Sequence, residues 1–185
     1  MLNDNRYVDE AERDIYLYGL TLLKQKMLYG LVIFALAVLI GSVKETLMFY
    51  IIYTALRKFA GGYHASTKKG CFAVTVSITL TLIFFTEIAV PGYPVMIMTS
   101  AVLGIILMLG PQGSRYRRID RSERRYFKGR LLMIIILVWL FSFYMFMIHN
   151  SLVVVIFYTI LVQMLMQLHS YIKHILSGGY DEQKI

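Results

Sequence analysis

The sequence predicts an all-α polytopic membrane protein with about six transmembrane helices and an N-terminal interfacial amphipathic helix. Of its 185 residues, 58% are hydrophobic, more than a soluble domain can cover with polar surface. The apolar residues form long blocks separated by short charged stretches, as in chains that cross a bilayer repeatedly. Basic residues concentrate at the ends of these blocks, where the positive-inside rule places cytoplasmic segments. We therefore expect one membrane domain whose core is shared with the lipid bilayer.

The first 26 residues predict a separate amphipathic segment that lies along the membrane surface. Apolar residues recur there at helical spacing: Tyr7, Ala11, Ile15, Tyr18 and Leu22. The segment is acidic, unlike the positive start of a signal peptide, so we expect no processing. Lys24 and Lys26 precede the first apolar block, which predicts an N-terminus on the cytoplasmic side.

The membrane domain is predicted to extend over residues 27–176. Its apolar blocks are 27–43, 46–56, 72–90, 93–110, 131–148 and 152–168. The second block is short, because 11 residues of helix cover only about half of a hydrocarbon core of roughly 30 Å. It is either a span extended by residues 42–45 or a half-inserted helix.

Six spans place every basic cluster on one side of the membrane. Loops 57–70 and 111–130 and the tail 177–185 are then cytoplasmic, as is the N-terminus. The net charge of +8 follows from these clusters, and anionic lipid accounts for it better than nucleic acid does. We therefore expect no nucleic-acid partner.

The strongest candidates for catalytic residues lie in loop 57–70 and directly after it. Cys71 is the only cysteine, which excludes an intramolecular disulfide, and His64 precedes it by seven positions. A cysteine nucleophile needs a base to take its proton, and histidine has an ordinary pKa near neutrality. Cys71 also opens an apolar helix just after Lys68 and Lys69, and both the helix dipole and the lysines favour the thiolate.

His64 and Cys71 cannot meet in an unbroken helix, because seven residues separate them by about 10 Å along the axis. The chain must therefore fold back, and Gly61, Gly62 and Gly70 are the residues that permit it. The alternative is that Cys71 packs as a small core residue and His64 is an interfacial polar group. Two candidate ligands without a second pair do not form a zinc site, so we expect neither a metal nor another cofactor.

The pattern Arg57-x4-Gly62-x-His64, followed after six residues by Cys71, resembles the accessory gene regulator B (AgrB-like) family. This family comprises membrane cysteine endopeptidases of Gram-positive quorum sensing. The resemblance implies a multi-pass protein of the bacterial cell membrane with its active site on the cytoplasmic side. It also implies Cys71 as nucleophile, His64 as general base, supporting roles for Arg57 and Gly62, and a homodimer.

The activity that the resemblance implies is cleavage of the C-terminal tail from an AgrD-like precursor peptide through a thioester on Cys71. A thioester retains acyl-transfer energy, so the peptide's own thiol or hydroxyl can close a thiolactone or lactone ring without ATP. The product would be an autoinducing peptide. The competing interpretation is a small polytopic transporter, or a peptide-binding membrane protein without catalysis, in which the loop glycines form a gate.

Several polar residues near this loop have two interpretations. Ser66 either supports the His64 imidazole or caps a turn. Thr75 and Thr79 either line a groove for an extended peptide or pack the helix. Gln163, one turn from Gln167, either donates to an oxyanion or joins helices, and we favour the second role.

The densest basic run covers residues 115–130 and contains eight basic residues against two acidic ones. A topology signal is the main explanation. The run also contains Arg121, Arg124 and Arg125, which we consider as binding residues for the acidic tail that the resemblance implies for the precursor. Exposed charges of this kind act on capture rather than on the chemical step.

Overall fold

The structure is a computed structural model that describes residues 10–62, 68–111 and 121–176. These residues form six α-helices and no strand. The helices are α1 (Glu10–Ile40), α2 (Val43–Ala60), α3 (Lys68–Ile88), α4 (Tyr93–Leu109), α5 (Arg121–Met147) and α6 (Leu152–Leu176). The all-helical fold class predicted from the sequence is confirmed for this part of the chain.

The chain divides at Gly41 into two compact units, residues 1–41 and 42–185. Helix α1, with 31 residues, is about 46 Å long by helix geometry. It continues without a break across residues 26 and 27, where the sequence analysis separated an interfacial helix from a first span. Residues 10–26 of the amphipathic segment and residues 27–40 of the first apolar block are therefore one helix, and its orientation relative to a membrane stays a prediction.

Helix α6 is the central helix of the second unit and contacts α2, α3, α4 and α5. Residues 153–160 are all buried, so this part of α6 is covered on every side. The largest core cluster joins α2, α4, α5 and α6. Its buried members are Ile52, Leu56, Ala60, Val102, Leu103, Ile106, Leu131, Ile135, Val138, Ile156, Phe157 and Ile160.

Helix α3 packs against α6 through a smaller cluster that combines apolar and polar contacts. The buried side chain of Leu82 meets Tyr158, whose ring also lies 5.3 Å from that of Phe85, centroid to centroid. The Tyr158 hydroxyl donates to the backbone carbonyl of Ile78 at 2.9 Å and lies 2.5 Å from Oγ1 of Thr81. This polar contact fixes the level at which α3 and α6 are aligned.

One end of the bundle carries two tight turns, which the sequence predicts from Pro91, Gly92 and Pro94 and from His149 and Asn150 between apolar blocks. Gly92 precedes α4, and Pro94 follows within the first helical turn. His149 has φ 52°, and the Asn150 side chain accepts a hydrogen bond from the Leu152 backbone at 2.9 Å. The buried residues Met96, Val153 and Val154 pack together at this end.

The helices differ in length from the apolar blocks, because the apolar blocks omit their charged ends. Helix α5 begins at Arg121, ten residues before the predicted block, so the assignment of residues 121–130 to a loop was wrong. Helix α2 has 18 residues, about 27 Å, and includes charged residues at both ends of its short apolar block. Helix α6 extends to Leu176. The predicted tail, residues 177–185, falls outside the described residues.

Two helices in the described part of the chain are long and apolar enough to cross a membrane, Arg124–Met147 in α5 and Leu152–Lys173 in α6. Shorter apolar segments occur in α1, α3 and α4: Met27–Ile40, Phe72–Ile88 and Tyr93–Leu109. Length and composition are thus consistent with a helical membrane protein. The count of six spans stays a prediction.

The Tyr158 contact gives a direct test of how α3 is held. We expect Tyr158→Phe to lower the free energy of unfolding by about 1 kcal/mol, because it removes a hydrogen-bonding hydroxyl but keeps the ring. Thermal unfolding in detergent micelles would measure the change. Tyr144→Phe, at an exposed tyrosine of α5, is the matched control and should have little effect. Equal effects of the two substitutions would contradict this account of the α3–α6 contact.

Candidate active site

Two glycines, Gly61 and Gly62, follow the last residue of helix α2 and lead to His64. Gly61 has φ 71°, and its N–H donates to the Arg57 carbonyl at 3.0 Å, which closes the last turn. Gly62 follows with φ 133°. Both values lie in the left-handed region that favours glycine. The predicted break in the helix at Gly61 and Gly62 is confirmed, whereas the same role for Gly70 was wrong, because Gly70 lies inside α3.

Gly62 lies against the side chain of Arg57, whose guanidinium end would have to move to admit a Cβ at position 62. A Cβ added there would be 2.8 Å from Nη1 of Arg57 and 3.5 Å from the backbone carbonyl oxygen of Met166 in α6. The guanidinium carbon of Arg57 also lies over the Tyr53 ring, 5.6 Å from its centroid. The Arg57-x4-Gly62 spacing thus brings the arginine side chain close to the place that a Cβ of residue 62 would take.

Gln163 of α6 bonds the end of α2. Its side chain is fully buried, and Nε2 donates to the carbonyl oxygen of Gly61 at 2.9 Å. The hydrogen bond joins two helices that are far apart in sequence. It favours the helix-joining role that the sequence analysis preferred for this residue over donation to an oxyanion.

Gln167, one turn further along α6, makes the same kind of contact with the end of α4. Its side chain is also fully buried, and Nε2 lies 2.5 Å from the carbonyl oxygen of Gly110 and 3.4 Å from that of Ile106. Gly110 ends α4 with φ 64° and donates its N–H to Ile106, as Gly61 does at the end of α2. The sequence analysis noted both glutamines but missed their glycine partners. A glycine after each of two apolar helices was the available signal.

Cys71 lies in the first turn of α3, as the sequence predicts, although this helix begins earlier, at Lys68. The hydrogen bond from Tyr158 to Ile78 aligns these two residues of α6 and α3. Because the two helices run antiparallel, the position of Cys71 along α6 follows from this alignment. Cys71 precedes Ile78 by seven residues, and Leu165 follows Tyr158 by seven. Both steps cover about 10 Å in the same direction. The backbone of Cys71 therefore lies near the level of Leu165, between the two glutamines.

The histidine side of the predicted pair is not described. His64 and Ser66 fall in residues 63–67, outside the described residues, and for Cys71 the structure describes the backbone but not the side chain. The pairing of His64 with Cys71 and the support from Ser66 stay predictions.

The two threonines proposed for substrate binding lie on α3 after Cys71. Thr79 is buried, and its hydroxyl donates to the Thr75 carbonyl of the same helix at 3.0 Å. Thr75 itself is half-buried. The hydrogen bond within α3 favours the packing role of Thr79.

The charged start of α5 lies beside the end of α2. The rings of Phe59 in α2 and Phe127 in α5 are 6.1 Å apart, centroid to centroid. Arg124 and Arg125 are exposed on the preceding turn, and Arg121 is the first residue of the helix, with its side chain not described. The basic residues of α5 thus occupy the same end of the bundle as Gly61 and Gly62. The earlier part of the basic run, residues 115–120, falls outside the described residues.

Among residues 10–62, 68–111 and 121–176, no group of three or more His, Cys, Asp or Glu side chains could hold a metal ion.

The sequence comparisons identify a family. Residues 1–167 match the family model described as accessory gene regulator B. The chain belongs to the accessory gene regulator B family. It is also 26% identical over 152 residues to Protein FsrB of Enterococcus faecalis, which covers 80% of this chain and 62% of that protein. The chain thus spans less than two thirds of that relative's length. No solved structure matches the chain.

In this accessory gene regulator B protein, the described motif residues, Arg57, Gly62 and Cys71, lie at one end of the bundle. Arg57 and Gly62 meet where α2 ends, and Cys71 lies in the first turn of α3. The two glutamines of α6 lie at the same end. The described members of the motif therefore lie at the ends of helices.

The crowding at Gly62 can be tested by a single methyl group. We expect Gly62→Ala to lower the free energy of unfolding by about 1–3 kcal/mol, because it forces a positive φ on alanine and displaces the Arg57 guanidinium. Chemical unfolding in detergent would measure the loss.

Gly129→Ala is the matched control. Gly129 lies in the charged part of α5 with nothing within 4 Å of an added Cβ, so alanine should stabilise the helix by up to about 1 kcal/mol. A Gly62→Ala protein as stable as wild type would show that the space beside Arg57 is not restrictive.

Proposed function

We propose that this protein is a membrane cysteine endopeptidase that cleaves the C-terminal tail from an AgrD-like precursor peptide. Family membership supports the proposal, and the arrangement of Arg57, Gly62, His64 and Cys71 in the sequence carries it. Cleavage through a thioester would allow the released fragment to cyclise to a quorum-sensing autoinducing peptide. The protein would be a thiol protease with no cofactor.

The position of Cys71 supports its role as the nucleophile. The first turn of α3 lies at the positive end of the helix dipole. This field favours the thiolate over the thiol. Lys68 and Lys69 in the same turn add positive charge. A cysteine nucleophile also needs a base nearby. The break at Gly61 and Gly62 supports this role for His64, since it ends the straight helix that would hold His64 away from Cys71.

The proposed reaction has two steps. In the first, His64 takes the Cys71 proton, the sulfur attacks the scissile carbonyl carbon, and the C–N bond breaks. His64 returns the proton to the amine of the departing tail, which leaves a thioester on Cys71. In the second, a thiol or hydroxyl of the bound peptide loses its proton to His64 and attacks the thioester. The ring closes, and the Cys71 sulfur regains its proton.

We further propose a multi-pass arrangement in the bacterial cell membrane, with both termini and the active site on the cytoplasmic side and a homodimer as the functional unit. The two long apolar helices α5 and α6 support membrane insertion. The basic residues at the start of α5 support a cytoplasmic position for that end of the bundle. Anionic lipid would be the partner of these charges.

Cleavage by the reconstituted protein tests the assignment of Cys71. We expect Cys71→Ala to abolish cleavage of a synthetic precursor peptide in proteoliposomes, because no other thiol exists in the chain. Mass spectrometry of the products would measure both the released tail and the cyclic fragment. Cys71→Ala protein that still cleaves would refute the enzyme as assigned, and a protein that binds or transports the peptide uncut would be a transporter.

His64→Ala provides the companion control. It should also lose cleavage while it keeps expression and membrane insertion, and it should slow the alkylation of Cys71 by iodoacetamide near neutral pH, because less thiolate forms without the base. Unchanged alkylation would show that the thiolate is independent of His64.

The basic start of α5 supports a role in precursor capture. Arg124 and Arg125 are exposed, and the Phe59–Phe127 contact places them beside the helix that leads to His64. An acidic tail of the precursor would be attracted to this surface. Exposed charges are screened within about 8 Å at physiological ionic strength, so the attraction acts on capture.

The combined substitution of Arg121, Arg124 and Arg125 by Gln should therefore raise KM and weaken its salt dependence, with little change in kcat. Steady-state cleavage at several salt concentrations would measure this. The matched control replaces the same three residues by Lys, which keeps the charge and should restore the wild-type KM. Wild-type kinetics in the Gln variant would leave the run as a topology signal only.

A further inference from the structure

The two buried glutamines of α6 make parallel contacts with two other helices. Gln163 bonds the Gly61 carbonyl where α2 ends, and Gln167 bonds the Gly110 carbonyl where α4 ends. Each glycine has a positive φ and donates its own N–H four residues back. The residue after Gly61 begins the path to His64, and the residue after Gly110 begins the path to the basic run. One turn of α6 therefore contacts the starts of both functional loops.

The chemistry of helix ends explains why amides occupy these positions. A helix leaves its last carbonyl groups without a partner within the helix, and an apolar surrounding makes an unpaired carbonyl costly. Glutamine offers an N–H donor on a side chain long enough to cross from one helix to another. Both side chains are fully buried, so water does not compete for these hydrogen bonds.

Each glutamine also buries a side-chain oxygen that does not contribute to these contacts. The Oε1 atoms of both glutamines are buried and accept no hydrogen bond from any described residue. Two apolar side chains of similar volume would avoid this cost, although they would leave the glycine carbonyls unpaired. The arrangement thus trades buried polar atoms for two fixed helix ends. That exchange indicates that the position of these ends matters.

We propose that Gln163 and Gln167, the glutamine pair, are positioning residues of the peptidase. Gln163 fixes the start of the segment that leads from Gly61 to His64, and Gln167 fixes the start of the segment that leads from Gly110 to the basic run. The pair sets the two loops relative to each other and to Cys71, whose backbone lies at the same level of α6. The inference rests on the proposed function, since it assigns the two loops to catalysis and to precursor capture.

The two members of the pair should affect different kinetic parameters. Loss of the Gln163 contact displaces the base relative to Cys71, which lowers kcat, because a displacement of about 1 Å can cost up to 100-fold in rate. Loss of the Gln167 contact displaces the basic run, which raises KM, because the run acts on capture. A residue that only stabilised the fold would lower the amount of active enzyme and leave KM unchanged.

The test uses Gln163→Met and Gln167→Met in the full-length protein in proteoliposomes. Methionine is close to glutamine in length and shape but cannot donate. With kcat expressed per molecule of folded enzyme, we expect Gln163→Met to lower kcat about tenfold or more with KM within twofold, and Gln167→Met to raise KM about threefold or more with kcat within twofold. Gln163→Asn, which keeps the amide but is one methylene shorter, should lower kcat in the same direction.

Thr159→Val is the matched control. Thr159 lies one turn before Gln163 on α6, is fully buried, and bonds the Val155 carbonyl of its own helix at 2.7 Å. Its substitution removes a buried polar group without freeing a neighbouring helix end. It should therefore leave both KM and kcat within twofold of wild type.

Hydrogen exchange of the uncleaved protein separates this inference from the proposed function. Gln163→Met should raise exchange in residues 62–70 and leave residues 111–120 unchanged, and Gln167→Met should do the reverse. If wild type fails to cleave, the proposed function is refuted, and exchange alone decides whether the pair holds the two loops. If wild type cleaves, then variants with wild-type KM and kcat, or with less folded enzyme of normal kinetics, would overturn the positioning role.

Discussion

Two hydrogen bonds from buried amides of α6 to the terminal glycine carbonyls of α2 and α4 organise the end of the bundle where the motif lies. Helix α6 can supply them because it is more enclosed than α5. In α6, 61% of the residues in the most apolar segment are buried, against 22% in α5. Helices α2 and α4 end on the same side of the bundle as α6. The connections from α2 to α3 and from α4 to α5 therefore begin there. The level of α3 is fixed from the same helix by Tyr158.

The proposed reaction needs groups with different requirements. A thiolate is favoured at the start of a helix, where Cys71 lies. A base in a loop needs a chain that turns sharply, which Gly61 and Gly62 provide through positive φ values. Exposed basic residues need a solvated surface, which the first turns of α5 provide. In the proposed reaction all three requirements would be met at helix ends, where the backbone changes direction and polar groups can be satisfied outside the apolar core.

Much of the fold could be predicted because apolar runs and turn residues act locally. The alternation of apolar blocks with charged stretches predicted the helices of the second unit, and Pro91, Gly92 and Asn150 predicted its tight turns. Helix ends were predicted less well. The predicted apolar blocks ended at charged residues. Helix α5, however, begins ten residues before its block, and α2 includes charged residues at both ends. Exposed charged residues with good helix propensity prolong a helix at little cost.

The sequence by itself determined the helical class, the family pattern of Arg57, Gly62, His64 and Cys71, and the break in the helix before the catalytic loop, because composition, spacing and glycine conformation are properties of the chain. Only the tertiary structure decided that the Arg57 side chain fills the space beside Gly62, and that Gln163 and Gln167 bond Gly61 and Gly110. The two glutamine contacts join residues that are 102 and 57 positions apart in the sequence. Packing around α6 selects them, and no local pattern specifies which carbonyl a buried amide will meet.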